Sequence, residues 1–99
     1  MKVIFAFSFL QRLKGLIGQS CIETPLLIAP CHAIHMLFMK VDIDAVFIDQ
    51  TFRIKKIYRG LKRWRGLAFC FDAWGVIEMK AGEANRLNLK IGDTLYIEG

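Results

Sequence analysis

The chain has 99 residues, of which 55% are hydrophobic and 23% charged, and it carries a formal net charge of +5. This length provides for a single domain over residues 1–99, and so large an apolar content excludes an intrinsically disordered chain. The longest apolar stretches, 3–10 and 25–39, exclude a membrane-spanning helix, because the first is too short and the second is broken by a proline and two histidines.

A helix is predicted directly after the first apolar segment. Ser8 and Gln11 have the spacing of a capping box, and apolar residues then recur at helical spacing. Gly15 or Gly18 can end this helix, because glycine accepts the left-handed conformation of a helix stop. A second short helical turn is predicted over Glu83–Leu89.

The rest of the chain predicts short β-strands. Eight segments are rich in β-branched or aromatic residues, and most are bounded by Gly, Pro or Asp. They are Val3–Phe7, Leu26–Ala29, Ile34–Phe38, Asp44–Ile48, Phe52–Tyr58, Leu67–Phe71, Val76–Lys80 and Thr94–Ile97. This spacing predicts a mainly β fold, a small single-domain sandwich or barrel with one or two short helices.

Several short motifs occur in a fixed order from about Phe5 to Ile97. They are Arg12–Gly18, Pro30–His35, Met39, Ile43–Asp49, Leu61 with Trp64 and Arg65, Val76–Ala84, and Gly92 with Asp93. In this order they resemble a bacterial family, the domain-of-unknown-function family number 192, in a short form without a leader. The resemblance implies a sandwich of jelly-roll-like architecture and implies no established activity.

The sequence departs from the pattern of that family at several positions. Asp42 and Arg63 both stand where proline is common, Lys80 replaces a small residue or proline, and Asn88 stands near a usual glycine. Met36 stands where threonine commonly follows a histidine. The Met36 change removes a hydroxyl from any polar site that the family shares there.

Two carboxylates, Asp44 and Glu78, lie within otherwise apolar predicted strands. Because ionised carboxylates are rarely buried without a partner, each can face solvent or bind Arg12, His35 or backbone N–H groups within the fold. A third possibility is a shared polar pocket that orients a small ligand. The residues His35, Asp44, Glu78 and Arg12 are therefore the candidate ligand-binding site.

Cys31, His35 and Met39 follow one another at intervals of four residues. Thiolate, imidazole and thioether are soft ligands that suit Cu(I), with Cys70 as a possible fourth ligand. Residues four apart on an extended strand are separated by about 13 Å, too far to share one ion unless the strand bends. The alternative is that the cysteine and methionine are core residues and the histidine is hydrogen-bonded within the fold.

A cysteine- and histidine-dependent enzyme is another hypothesis. Cys31 could be a nucleophile with His32 or His35 as its base, oriented by a carboxylate such as Asp44 or Glu78. The sequence has no nucleophile-elbow motif, and a buried inert cysteine is the more common case.

The segment Arg59–Gly66 combines four cations with a tryptophan and two glycines. Lys62, Arg63, Trp64 and Arg65 could bind nucleic acid, since cations follow a phosphate backbone while an aromatic ring stacks on a base. They could equally bind an anionic membrane surface or an acidic protein, or form a solvated loop whose tryptophan folds back onto the core.

These observations favour a non-enzymatic module that binds a small ligand or a partner protein. An enzyme and a nucleic-acid-binding protein are the alternatives. We expect no cofactor, no transmembrane segment, and a monomer or weak homodimer. The chain has three cysteines, an odd number without disulfide spacing, which favours a cytoplasmic protein.

Overall fold

The computed structural model describes residues 1–6, 24–36 and 41–98. Seven strands and one short helix lie in these ranges. They are β1 (Ile4–Ala6), β2 (Leu26–Ile28), β3 (Ala33–His35), β4 (Ile43–Ile48), β5 (Ile54–Leu61), β6 (Leu67–Phe69), β7 (Gly75–Lys80) and α1 (Glu83–Arg86).

Five of these strands form one sheet in the order β1-β2-β7-β4-β5. β1 pairs with β2 in parallel, and the other neighbouring strands are antiparallel. Every residue of β4 is buried. A strand that is covered on both faces is typically apolar without alternation, as residues 45–48 are here.

The strands β3 and β6 form a second, two-stranded antiparallel sheet. Ile34 and Ala68 point from this small sheet into the apolar cluster that contains Phe47 of β4. A second apolar cluster lies on the opposite face of the larger sheet and includes Ala84 of α1 and Leu95 of the C-terminal segment. The large sheet is therefore covered on both faces, and the prediction of a mainly β fold with short helices is confirmed.

The predicted and observed elements differ at the C-terminal end. Each of the first seven predicted strand segments overlaps one observed strand, with bounds that differ by up to three residues. The strand predicted over Thr94–Ile97 is wrong, because this segment contributes a bridge through Thr94 and no ladder. Leu95 packs on the second apolar cluster, so the apolar alternation there belongs to a loop on the core.

The helix predicted over Glu83–Leu89 is present as α1, and the helix predicted near the N-terminus lies outside the described residues. In the ranges that the structure describes, no helix combines the length and apolar character that crossing a lipid bilayer requires.

Candidate functional site

Asp44 lies in β4 with 1% of its surface exposed. One of its carboxylate oxygens accepts the backbone N–H of Gly60 at 2.9 Å. The other accepts the backbone N–H groups of Gly82 and Ala84, each at 3.0 Å. Three backbone donors therefore compensate the burial of this carboxylate.

These donors lie at a strand bulge and at a helix start, where backbone N–H groups lack a regular hydrogen-bond partner. Gly60 has a φ of +65° at a bulge of β5, where the pairing with β4 shifts register. Gly82 precedes α1 with a φ of +96° and provides no side-chain cap for it. Asp44 supplies that cap from β4 and so joins β4, β5 and α1. A ligand-binding role for Asp44 stays a prediction, but its contacts match the alternative in which it binds backbone N–H groups.

Glu78 of β7 is completely buried and points to the other face of the sheet. In the β4–β7 register, Asp44 lies opposite Met79 and Ala45 lies opposite Glu78. Paired residues share a face and successive residues alternate, so the two carboxylates lie on opposite faces. Glu78 points towards the layer formed by β3 and β6, whereas Asp44 points towards α1.

His35 lies on the outer side of the small sheet. It is exposed and pairs with Leu67, while the preceding Ile34 is buried. The structure therefore separates the three residues: His35 is exposed on the small sheet, and Asp44 and Glu78 are buried on opposite faces of the large sheet. Arg12 lies outside the described residues, and a separate ligand-binding role for each residue stays a prediction.

The thiols of Cys31 and Cys70 both make hydrogen bonds within the fold. The half-buried Cys31 donates to the carbonyl oxygen of Ala33 at 3.2 Å. Cys70 donates to the Asp72 carboxylate at 3.1 Å. Burial, together with this carboxylate, raises the pKa of Cys70. Cys70 is therefore held as the thiol, the less reactive form of cysteine.

The structure describes two of the three proposed soft-metal ligands, and these two lie in different surroundings. Cys31 packs against the core, whereas His35 is exposed. Met39 lies outside the described residues, so the metal hypothesis stays a prediction. Among the residues that are described, no three His, Cys, Asp or Glu side chains are grouped to hold a metal ion.

The basic segment 59–66 begins in β5, which ends at Leu61, and continues as a loop; it is called the basic loop below. It is partly neutralised by Asp42. The Arg63 Nε lies 3.1 Å from Oδ1 of Asp42, and the Lys62 Nζ lies 3.6 Å from Oδ2. The backbone N–H of Arg63 donates to the same Oδ1 at 2.9 Å. Hydrogen bonds from Arg63, with a smaller contribution from the Lys62 charge, hold the pKa of Asp42 below its ordinary range.

The backbone of the basic loop is attached to the end of β3. Trp64, half-exposed and with a φ of +70°, donates its N–H to the carbonyl oxygen of Met36 at 2.9 Å. The N–H of Met36 in turn donates to the carbonyl oxygen of Gly66 at 2.9 Å. A Cβ atom on Gly66 would lie 2.6 Å from the Met36 Cγ. Arg65 is exposed, and a nucleic-acid role for this loop stays a prediction.

Sequence reasoning missed a surface of three large apolar side chains. Leu67 and Phe69 point outward from β6 with 65% and 44% of their surface exposed, while Ala68 between them is buried. Phe71 follows in the next turn, is 82% exposed, and its ring centroid lies 5.2 Å from that of Phe69. Leu67, Phe69 and Phe71 are called the apolar outer face below.

Lys56 and Tyr58 of β5 hold Phe69 in position. The Lys56 Nζ lies 4.7 Å from the centroids of both the Tyr58 and the Phe69 rings. It donates to the carbonyl oxygen of Phe69 at 3.1 Å, and the Tyr58 Oη donates to the same oxygen at 3.2 Å. The hydrogen bond with Lys56 is the first cause of the lowered pKa of Tyr58. A cation is therefore fixed beside the apolar outer face.

A family model described as DUF192, "Uncharacterized ACR", matches residues 1–97. The chain belongs to this family of unknown function. The resemblance inferred from the ordered motifs is thereby confirmed. None of the curated proteins matches the chain significantly.

Two solved bacterial structures are similar to this DUF192 chain. A protein of unknown function from Novosphingobium aromaticivorans is 21% identical with a TM-score of 0.78, and the match covers 93% of this chain and 71% of that one. A protein from Sinorhizobium meliloti, described as a candidate transcription regulator, is 22% identical with a TM-score of 0.84, and the match covers 95% and 79% of the two chains. These similarities establish a common fold.

Proposed function

We propose that this protein is a non-enzymatic module that binds a partner protein through the apolar outer face. The observation that carries the proposal is the exposure of Leu67, Phe69 and Phe71 on one surface. Full burial of a side chain of this size contributes about 1.5–3 kcal/mol. Contiguous exposed apolar side chains of this kind mark sites of interaction with other molecules.

A partner protein suits this surface better than a small ligand does. Side chains stand outward from a two-stranded sheet, whereas small-molecule sites are concave and have convergent polar groups. The polar candidates Asp44 and Glu78 are buried on opposite faces of the large sheet, and the Asp44 oxygens already accept three backbone N–H groups. His35 is exposed on the small sheet. A small-molecule ligand is the alternative form of this proposal.

Nucleic-acid binding through the basic loop is the second candidate. It is favoured by the exposure of Trp64 and Arg65, and it would agree with the description of the Sinorhizobium meliloti protein as a candidate regulator. It is opposed by the Asp42 carboxylate, which binds two of the loop cations. A gel-shift experiment with single-stranded oligonucleotide at low salt tests it, with Trp64→Ala as the variant expected to weaken binding.

The partner-protein proposal is tested by comparing three forms of the purified protein as baits in extracts of the native cells. They are the wild type, a Leu67→Ser/Phe71→Ser variant, and a Tyr96→Ser control. Tyr96 is 84% exposed but belongs to the C-terminal segment that covers the opposite face of the large sheet. We expect a protein that the wild type and the control retain and the outer-face variant loses.

Calorimetry with the purified partner must then give the same order of binding affinity for the three forms. Equal retention by all three forms would contradict the proposal. A partner that binds the outer-face variant as tightly as the wild type in calorimetry would contradict it as well.

The finer assignment of a bacterial, cytoplasmic protein is also part of the proposal. Cys70 is a free thiol, which suits a reducing compartment. Both similar structures come from bacteria. Fractionation of native cells with an antibody against the protein tests the assignment, which requires recovery with the cytoplasmic fraction.

A further inference from the structure

We propose that the segment of the partner that docks on the apolar outer face is acidic as well as apolar. This inference rests on the proposed function and specifies the chemistry of the partner. It is carried by Lys56, which lies against Phe69, and by the positive charge of the segment that forms the outer face.

Positive charge is concentrated in the part of the chain that forms this face. Residues 55–72 contain six cations and one carboxylate: Lys55, Lys56, Arg59, Lys62, Arg63, Arg65 and Asp72. Asp72 binds Lys55 at 3.2 Å, and Asp42 approaches from another strand to bind Lys62 and Arg63. Arg59 points elsewhere, since it donates to the carbonyl oxygen of Leu89 on the opposite side of the large sheet. The other five cations outnumber these two carboxylates and leave a net positive charge on this segment, which attracts a partner of opposite sign.

Lys56 is the cation that contacts the outer face directly. Its Nζ lies over the Phe69 ring and donates to the Phe69 carbonyl oxygen. An ammonium group has three donors, and the bonds of Lys56 to Phe69 and Tyr58 use two of them. A carboxylate beside an apolar group that packs on Phe69 would therefore meet a cation that is already in position, with little further ordering of the lysine.

A second copy of this chain fits the face poorly. In a two-fold symmetric dimer the same surface patch occurs on both sides of the interface. Pairing the outer face with itself would bring the two cationic surroundings together, and like charges across an interface are unfavourable. The charge distribution thus favours a different protein over self-association at this surface.

Nucleic acid and anionic lipid are also attracted by positive charge, but the cations are arranged less well for them. Lys55, Lys62 and Arg63 each contact a carboxylate, and Lys56 is fixed on Phe69. Phosphate binding depends on the number of cations that can neutralise phosphates. The apolar outer face, with one fixed cation beside it, is better suited to a protein segment in which carboxylates and apolar side chains alternate.

The test places the photo-reactive residue p-benzoylphenylalanine at position 71 in the protein expressed in its native cells. The cross-linked partner and the peptide that carries the cross-link are identified by mass spectrometry. We expect the cross-linked segment to contain apolar residues together with an excess of Asp and Glu.

The purified complex is then measured with two matched charge variants. Lys56→Gln retains a donor for the Phe69 carbonyl oxygen but loses the charge, and Lys90→Gln makes the same change beside Leu89 on the opposite side of the large sheet. We expect Lys56→Gln to weaken binding about tenfold and to reduce its salt dependence, while Lys90→Gln leaves both close to the wild type. Thermal unfolding of both variants confirms that they are folded.

The outcomes separate this inference from the proposed function. A neutral or basic cross-linked segment, with binding unaffected by Lys56→Gln, overturns the inference and leaves the proposed function in place. A cross-link to a second copy of the chain also overturns the inference. Binding to phosphatidylglycerol vesicles that is lost in Phe71→Ser, or the absence of any protein cross-link at position 71, overturns both.

Discussion

The surroundings of Asp44 and the apolar outer face contain the two kinds of residue that are least expected where they lie. Asp44 is a carboxylate in the interior, and Phe71 is a phenyl ring that is 82% exposed. The interior carboxylate is explained by the fold itself, because its oxygens accept the backbone N–H groups of three other residues. The exposed ring contributes little to the folded domain. A residue that the fold does not explain is the better indication of function.

The largest expected difference in the free energy of unfolding is between alanine variants of two phenylalanines. Phe47 is fully buried in β4, so Phe47→Ala should lower the free energy of unfolding by about 3–5 kcal/mol. Phe71→Ala should change it by less than about 0.5 kcal/mol, because the ring is already in contact with water. Urea unfolding of the two variants beside the wild type measures both values. A large loss of stability in Phe71→Ala would mean that the outer face supports the fold.

Substitution of Asp44 should cause the next largest loss of stability. Asp44→Ala removes the acceptor for three backbone donors, one of which belongs to the buried Ala84, and should lower the free energy of unfolding by about 3 kcal/mol. Asp44→Asn retains one acceptor oxygen and should lose less. The urea midpoints of both variants give the comparison. An unchanged midpoint in Asp44→Ala would disprove the structural role and return Asp44 to the candidate ligand-binding residues.

Gly66 tests how closely the basic loop is packed on β3. A Cβ atom there would lie 2.6 Å from the Met36 Cγ and 3.0 Å from the Lys62 carbonyl oxygen, so Gly66→Ala should destabilise the protein by about 2 kcal/mol. Combining it with Met36→Ala removes one of the two clashes, so the double variant should be less destabilised than the sum of the single variants. Additive losses in urea unfolding would show that the two side chains do not compete for this space.

The strands could be predicted from the sequence because local composition determines them. The seven segments that form strands are rich in β-branched and aromatic residues. The partners of Asp44 could not be predicted in this way, because they lie 16, 38 and 40 residues further along the chain. The topology that brings them together depends on the whole sheet, so the sequence left solvent, a partner within the fold and a ligand pocket as open possibilities for this carboxylate.

The outer face was missed for a different reason. In the segment Leu67–Phe71 both sides of the strand are apolar, so alternation cannot show which side faces the core. The sizes of the side chains differ between the two sides of the strand, but size alone does not decide which side faces the core. The small residues Ala68 and Cys70 point inward, and the large ones point outward. Only the packing of the small sheet on a core already filled by Phe47 makes small inward residues the ones that fit.

The smallest expected effect concerns Asp42, which ties the basic loop to the start of β4. Its pKa is lower in the folded protein than in the unfolded chain, chiefly because of hydrogen bonds from Arg63. The contribution of Asp42 to stability is therefore present above the pKa of the unfolded chain and is lost as the pH falls through the folded value. The stability difference between the wild type and Asp42→Asn should be constant near neutral pH and should shrink below about pH 4. Arg63→Gln should remove much of the same pH dependence. Urea unfolding of the wild type and the two variants at pH 6 and pH 3 measures these differences.

The stability difference between wild type and Asp42→Asn could instead be equal at the two pH values. That result would mean that the loop cations do not stabilise this carboxylate, and that Lys62 and Arg63 are available to a partner after all.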